Sequence, residues 1–273
     1  MKNPKFSIIT VCYNSVSFIE DTIKSILSQN FTDFEYVIID GGSTDGTLKV
    51  IRQYESEFIN NGIKFILVSE PDNGIYDAMN KGIELANGEW INFMNSGDWF
   101  YDNKVLTNID KFISQNKAPD IIYGDTEIRY SDEYRGFTRI QKAGKLDKLY
   151  RGMVFSHQSV FVKTELMMEF KFKSNLYNYT ADFDFFLQLF ISNKNFLNTN
   201  MIISSILAGG KSDEKLNRIN SLKENYKISK YYLGQKYFIP RIINMIKEMT
   251  FAIFQSFTPK CIQPLFITLL KKD

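Results

Sequence analysis

Asp98 closes the tetrapeptide Asn95-Ser96-Gly97-Asp98, which follows the apolar run Trp90 to Met94. A segment of buried-strand character thus ends in a turn that carries a carboxylate. A carboxylate just past a central strand end can hold a divalent cation, and that cation can hold a diphosphate. An aspartate in such a turn can equally cap the helix that follows. Asp40 stands in the same kind of place, after Phe34 to Ile39 and at the head of Asp40-Gly41-Gly42-Ser43-Thr44-Asp45-Gly46-Thr47. Two acidic strand ends favour a ligand rich in hydroxyl or imide groups together with a metal, over a bare phosphate on a helix N-terminus. Ala181-Asp182-Phe183-Asp184 opens a helical pattern with two carboxylates in its first turn. Either could take up a proton, or could pack and cap the helix. His157 is the only histidine and lies in the strand-like run Met153 to Val162, where a structural hydrogen-bonder and a catalytic group are both open readings.

The elements that must position these groups alternate. Phe6 to Cys12 reads as a buried strand, followed by the turn Tyr13-Asn14-Ser15 and a helix from a Ser17 cap to about Gln29. Phe34 to Ile39 is the second strand, with a helix to about Tyr54. Ile63 to Val68 is the third, and Pro71-Asp72-Asn73-Gly74 leads into a helix over Ile75 to Ala86. The fourth strand is Trp90 to Met94. Strand and helix alternating with short loops predict a doubly wound, mostly parallel sheet flanked by helices. Its polar loops share one edge, so the ends at Tyr13-Asn14, Asp40-Gly41, Glu70-Asp72 and Asn95-Asp98 converge on one crevice. Beyond it come a helix over Val105 to Ile113, a strand over Asp120 to Tyr123, an exposed hairpin over Thr126 to Ile140, and a strand over Phe196 to Leu207. The expected organisation is an α/β domain over 1–212 and a helical C-terminal extension over 213–273.

Composition and absent motifs narrow the function classes. No G-x-G-x-x-G follows the first strand and no phosphate loop of the G-x-x-x-x-G-K-[ST] type is present, so the ligand is held by other means. Cys12 and Cys261 are the only cysteines and are far apart, which fits a reducing compartment and argues against zinc held by thiolates. The N-terminus lacks a secretory pattern, and no window reaches the roughly 18 apolar residues of a membrane span. Net charge is +2, but residues 211–273 carry 12 Lys and Arg against 5 Asp and Glu, while residues 1–210 carry 21 against 26. A basic tail on an acidic body suits an anionic surface. Tyr237 to Phe257 has a broad apolar face with a basic rim, suited to a membrane interface or to packing on the main domain or a partner chain. No nucleic-acid-binding module is present, so no nucleic-acid partner is expected.

Taken together, five segments in order resemble the family 2 glycosyltransferases, whose nucleotide-sugar-binding fold is called GT-A. They are Ser7 to Asn14, Asp40 to Thr47, Gly74-Ile75-Tyr76-Asp77-Ala78-Met79-Asn80-Lys81-Gly82, Asn95 to Asp98, and Ala181-Asp182. The third segment resembles that of enzymes of bacterial capsule, O-antigen and exopolysaccharide assembly. The resemblance spans roughly residues 6–212 and implies an inverting, metal-dependent glycosyltransferase. It would move sugar from a nucleotide sugar, a UDP-sugar first, to a saccharide acceptor that is lipid-linked, at the cytoplasmic face of the membrane. Thr10, Tyr13 and Asn14 would line the base, with Gly41 and Asn95 beside the nucleotide sugar. Asp40 would accept a hydrogen bond from uracil or ribose, and Asp72 would lie near the ribose or donor sugar. Asp98 would hold Mn²⁺ or Mg²⁺, and Asp182 would be the general base. Lys211 would reach the diphosphate from the loop Gly209-Gly210-Lys211-Ser212. His157 would stand beside the acceptor pocket, with metal or acceptor contact open, and Asp184 is the rival to Asp182.

Two departures from the family pattern matter. Asn95-Ser96-Gly97-Asp98 stands where the family commonly has Asp-x-Asp-Asp, so one carboxylate remains and a weaker metal site is expected. Ala181-Asp182 replaces the common Glu-Asp. The first departure motivates an alternative, a non-catalytic nucleotide-sugar-binding or scaffold protein descended from such enzymes. Association into a homo-oligomer is left open.

Overall fold

The computed structural model describes residues 3–117, 119–130, 136–208 and 215–234, together with 246 and 250. Its strands are β1 (Phe6–Cys12), β2 (Phe34–Asp40), β3 (Lys64–Ser69), β4 (Trp90–Phe93), β5 (Asp98–Phe100), β6 (Ile121–Arg129), β7 (Thr138–Gln141), β8 (Val160–Lys163) and β9 (Phe196–Leu207). The helices are α1 (Ile19–Leu27), α2 (Thr47–Asn60), α3 (Ile75–Leu85), α4 (Val105–Gln115), α5 (Thr164–Phe170), α6 (Ala181–Ile191) and α7 (Lys215–Leu233).

These strands form one sheet in the order β3-β2-β1-β4-β8-β6-β9-β5, with β7 added to β6. β3, β2, β1 and β4 run parallel, as the alternation of strand and helix requires. All seven residues of β1 and of β2 are buried, the mark of strands covered on both faces. Side chains alternate between those faces. Ile9, Val11, Val37 and Ile39 pack with α3 (Met79, Ile83) and α6 (Phe185, Leu189). Ile8, Cys12, Tyr36 and Ile38 pack with α1 (Ile23), α2 (Ile51, Phe58) and α4 (Ile109).

The second half of the sheet is mixed. β8 pairs antiparallel with both β4 and β6, while β6 and β9 run parallel. β6 and β7 form the expected hairpin pairing. Three local expectations need correction. Met153 to Val162 is not one strand: residues 157–159 form a 3₁₀ turn and only Val160–Lys163 is extended. Asp98 is not in an open loop but begins β5, paired opposite Ile206 of β9. Ser17 does not cap α1; the chain enters that helix through Phe18, without a side-chain cap. No helix among the described residues is long and apolar enough to cross a membrane.

α7 docks on α6, where Ile228 packs against Phe183 and Leu187. Tyr237 to Phe257 and Lys211 fall, almost entirely, outside the described residues.

Candidate active site

The carboxyl ends of the parallel strands build one wall of a cleft. Asp40 is the last residue of β2 and is fully buried. Its Oδ2 accepts from the amides of Gly42 at 3.1 Å and Ser43 at 2.9 Å and from Ser69 Oγ at 2.7 Å. Its Oδ1 takes the Ser43 hydroxyl and the Cys12 thiol, the latter at 3.6 Å. Five donors therefore occupy this fully buried carboxylate, so, against the expectation, it shapes the loop after β2 and does not face uracil or ribose. Asn14 has a left-handed φ of 47° and ties the ends of β1 and β2 together. Its amide donates to Ser43 Oγ at 2.7 Å, and its Oδ1 accepts from the Thr44 amide at 2.9 Å.

Gly41 leaves room for the side chains that face the cleft. A Cβ at position 41 would lie 2.5 Å from Asp72 Oδ2 and 3.4 Å from Tyr13 Cδ2. Tyr13 is 54% exposed, so a flat aromatic face and a carboxylate meet over a bare backbone. The other Asp72 oxygen, Oδ1, accepts from the Gly74 amide at 2.8 Å. An aromatic face beside a carboxylate can hold a base and a diol, which suits a nucleoside.

The opposite wall is organised by the 3₁₀ turn 157–159. Asn92 of β4 anchors it, donating to the carbonyls of Gln158 and Val160 at 2.9 Å. Gln158 Nε2 then donates to Asp98 Oδ2 at 2.8 Å. His157 Nε2 lies 3.1 Å from Asn95 Nδ2, and His157 Nδ1 lies 3.7 Å from Asp182 Oδ2. Burial holds the imidazole below its ordinary pKa, against the pull of Asp182, so the ring is neutral near pH 7. Nε2 is then the acceptor from Asn95, and Nδ1 carries its proton toward Asp182. Asp182, in the first turn of α6, accepts from the Tyr76 hydroxyl at 2.9 Å through Oδ1. Its side chain is 17% exposed, which leaves a face for an acceptor. Burial, then the charge of Asp182, push the Tyr76 phenol well above its ordinary pKa, so it stays a donor.

The residues at the 95–98 turn fit a hard cation. Gly97, at φ 94°, lets the chain turn back so that the Asp98 amide donates to the Asn95 carbonyl at 2.9 Å. Asn95 Oδ1 and Ser96 Oγ are buried with no hydrogen-bond partner. Asp98 is half-buried, and desolvation by the surrounding protein pushes its carboxyl from 3.8 up to about 7, with the Gln158 bond only partly opposing this. Such a carboxylate lacks compensating charge, which a divalent cation would supply. Among the described residues no three His, Cys, Asp or Glu side chains form a complete metal site. The donor set is one carboxylate with neutral oxygens, the kind that leaves room on Mg²⁺ or Mn²⁺ for diphosphate and water.

Besides Asp40, two expected site residues stand elsewhere. Thr10 is fully buried; its hydroxyl donates to the Met94 carbonyl at 2.7 Å and accepts from Tyr36 at 3.0 Å, so it braces β1 in the core instead of touching a base. Asp184 is also fully buried, on the other side of α6. It pairs with Lys173 Nζ at 3.1 Å and accepts from Gln188 at 2.6 Å. It therefore does not face the cleft, because successive helical positions point in different directions. Gln158 and Tyr76 belong to the site and were not singled out from sequence, although both lie inside quoted segments.

Comparison with known proteins agrees with this fold. Residues 7–178 match the model of glycosyl transferase family 2. The PGL/p-HBAD biosynthesis glycosyltransferase of Mycobacterium bovis (strain BCG / Pasteur 1173P2) is 33% identical over 190 residues, 70% of this chain and 71% of the relative. The putative teichuronic acid biosynthesis glycosyltransferase TuaG of Bacillus subtilis (strain 168) is 34% identical over 115 residues, 42% of this chain and 44% of its own. Among solved structures, S. aureus TarS 1-349 in complex with UDP superposes with a TM-score of 0.61 at 19% identity, over 82% of this chain and 65% of that one. That likeness concerns the fold, which is the GT-A fold. The family match covers more than half of the chain, and the mycobacterial relative is matched over most of its length. This protein belongs to glycosyl transferase family 2 and is a glycosyltransferase.

Proposed function

We propose that the protein transfers a sugar from a UDP-sugar to a lipid-linked saccharide in the assembly of a bacterial surface glycan, with inversion at the anomeric carbon and with Mn²⁺ or Mg²⁺. The observation that carries this reading is the convergence of Asn95, Asp98 and Asp182 on the single turn 157–159. A metal-type carboxylate and a base-type carboxylate are thereby tied to neighbouring side chains of one short turn. The surface-glycan setting rests on the relatives named in PGL/p-HBAD and teichuronic acid biosynthesis.

Asp182 takes the proton of an acceptor hydroxyl as that oxygen bonds to the anomeric carbon and the bond to the diphosphate breaks. Tyr76 fixes one of its oxygens, and the second remains for the incoming proton. The neutral His157 stands 3.7 Å from that second oxygen and leaves it free to take the proton. Tyr13, Gly41 and Asp72 receive the nucleoside, over a loop that Asp40 and Asn14 hold in shape. Asp98 would hold the cation, which when bound neutralises charge on the departing nucleoside diphosphate. A face at the membrane and a diphosphate contact from Lys211 belong to this reading as well.

Calorimetric titration with UDP, GDP and dTDP, each with and without Mn²⁺, tests it. UDP binding that requires Mn²⁺ and is lost in Asp98→Ala is the expected result. Equal binding of UDP without Mn²⁺ or without the Asp98 carboxylate would remove the metal role.

A further inference from the structure

We propose that Glu224, on α7, is a positioning residue for Asp182: it grips the backbone that leads into α6 and so sets where the first carboxylate of that helix points. The proposal rests on the reading of Asp182 as the base, and it reaches outside the family match, which ends at residue 178.

The grip is made by one carboxylate on three successive amides. Glu224 Oε1 accepts from the Asn178 amide at 3.0 Å. Oε2 accepts from the amides of Tyr179 at 3.0 Å and Thr180 at 3.1 Å, and from Thr180 Oγ1 at 3.1 Å. Thr180 is the residue before α6, where a threonine ordinarily turns its oxygen onto the helix's own amides. Here it makes no such cap, and its hydroxyl is donated to Glu224 instead. The entry into α6 is thus fixed by another helix. Asp182 follows two residues later.

The surrounding contacts pin both faces of that first turn. Tyr76 OH lies 3.1 Å from the Tyr179 carbonyl and 2.9 Å from Asp182 Oδ1, so the gripped segment and the carboxylate share one phenol. On the far face, Lys173 pairs with Asp184 and donates to Tyr232 of α7 at 2.6 Å. Between these points Ile228 packs on Phe183 and Leu187. α7 therefore touches the α6 segment at its entry, its middle and its half-buried ion pair. Charged acceptors make the stronger and shorter backbone hydrogen bonds, which suits a group that must hold a reacting carboxylate to a fraction of an ångström.

His157 makes the proposal measurable, because it is the only histidine in the chain and lies 3.7 Å from Asp182. Its imidazole carbon-bound proton resonances form a single, unambiguous set. At one fixed pH, Glu224→Ala is expected to move them in the same direction as Asp182→Asn does, with Glu224→Gln between Glu224→Ala and the parent. Amide exchange at residues 178–180 is expected to accelerate at least about tenfold in Glu224→Ala. Tyr232→Phe, which loosens α7 at its other contact, is expected to leave the histidine resonances in place. Resonances of Glu224→Ala that superimpose on the parent's would overturn the proposal, as would an equal displacement in Tyr232→Phe. Turnover of Asp182→Asn judges the base reading separately: undiminished transfer there removes the base, while the histidine signal still judges whether Glu224 places that carboxylate.

Discussion

The protonation state of Asp98 depends strongly on what surrounds it. Unfolded, its carboxyl releases a proton near 3.8; enclosed in the fold it holds that proton up to about 7. Between those values the folded state binds more protons than the unfolded one, so stability falls as pH rises through the window and levels off above it. With allowance for its partial exposure the effect is on the order of 1–3 kcal/mol. Thermal melts in a chelator should therefore show Asp98→Asn melting above the parent at pH 8 and matching it near pH 4. Mn²⁺ at pH 8 should raise the parent alone. A parent that melts identically at both pH values, relative to the variant, would refute the shift. For Asp182 the expectation is kinetic: Asp182→Asn should lower transfer by about 10²–10⁴-fold with nucleotide affinity unchanged. Initial rates alongside calorimetry test this, and a parallel loss of UDP binding would assign Asp182 to the donor instead. Sequence reading singled out Asp98, Tyr13 and Asp72 because they follow strands, and Asp182 because it opens a helix, and the fold leaves all four at least partly exposed. It failed at Thr10 and Asp184, whose types suit a site but whose strand and helix phase turns them into the core. Phase within an element can be read from apolar periodicity only where its neighbours contrast, and in α6 nearly every neighbour is apolar.

At the scale of elements, the parallel half of the sheet was legible almost residue by residue. β1 and β2 are fully buried apolar runs and β3 a half-buried one, and their short length, β-branched content and flanking turn residues mark them as strands. The second half was not, because residues 153–159 have the composition of a strand but spend their side chains on other elements. Ser159 donates to the Asp125 carbonyl and shares protons with Ser204 and Thr126, at 2.6 to 2.9 Å. Such contacts are tertiary and leave no periodic trace. β6 and β9 carry another feature of this kind, a register shift around Gly124. A Cβ there would lie 2.5 Å from the Met201 carbonyl oxygen, a backbone atom with little freedom to retreat. Gly124→Ala should cost about 1–3 kcal/mol of stability, measurable by urea denaturation, and a midpoint equal to the parent's would show that the irregularity absorbs the methyl group.

For the whole molecule, charge is the property that no single element reveals. Residues 211–273 carry 12 Lys and Arg against 5 Asp and Glu, on a chain whose remainder is acidic. If this segment meets an anionic bilayer, the full chain should sediment with phosphatidylglycerol vesicles in low salt and be released at about 0.5 M NaCl, where screening is nearly complete. A chain ending at Gly234 lacks six of these twelve basic residues and should sediment less, and equal sedimentation of both would assign the attraction to residues outside 235–273. The turn 157–159 carries a different consequence. Three consecutive side chains reach Asp182, Asp98 and the β6–β9 pair, so under the proposed roles one short segment would serve both substrates at once. Substitutions that retune the donor side cannot then be combined freely with those that retune the acceptor side; their effects will depend on one another, with interaction energies of about 0.5–3 kcal/mol. Laboratory selection for a new acceptor sugar should accordingly tend to recover compensating changes around Asn95 and Asp98, and a family of such enzymes would diverge in donor and acceptor preference together.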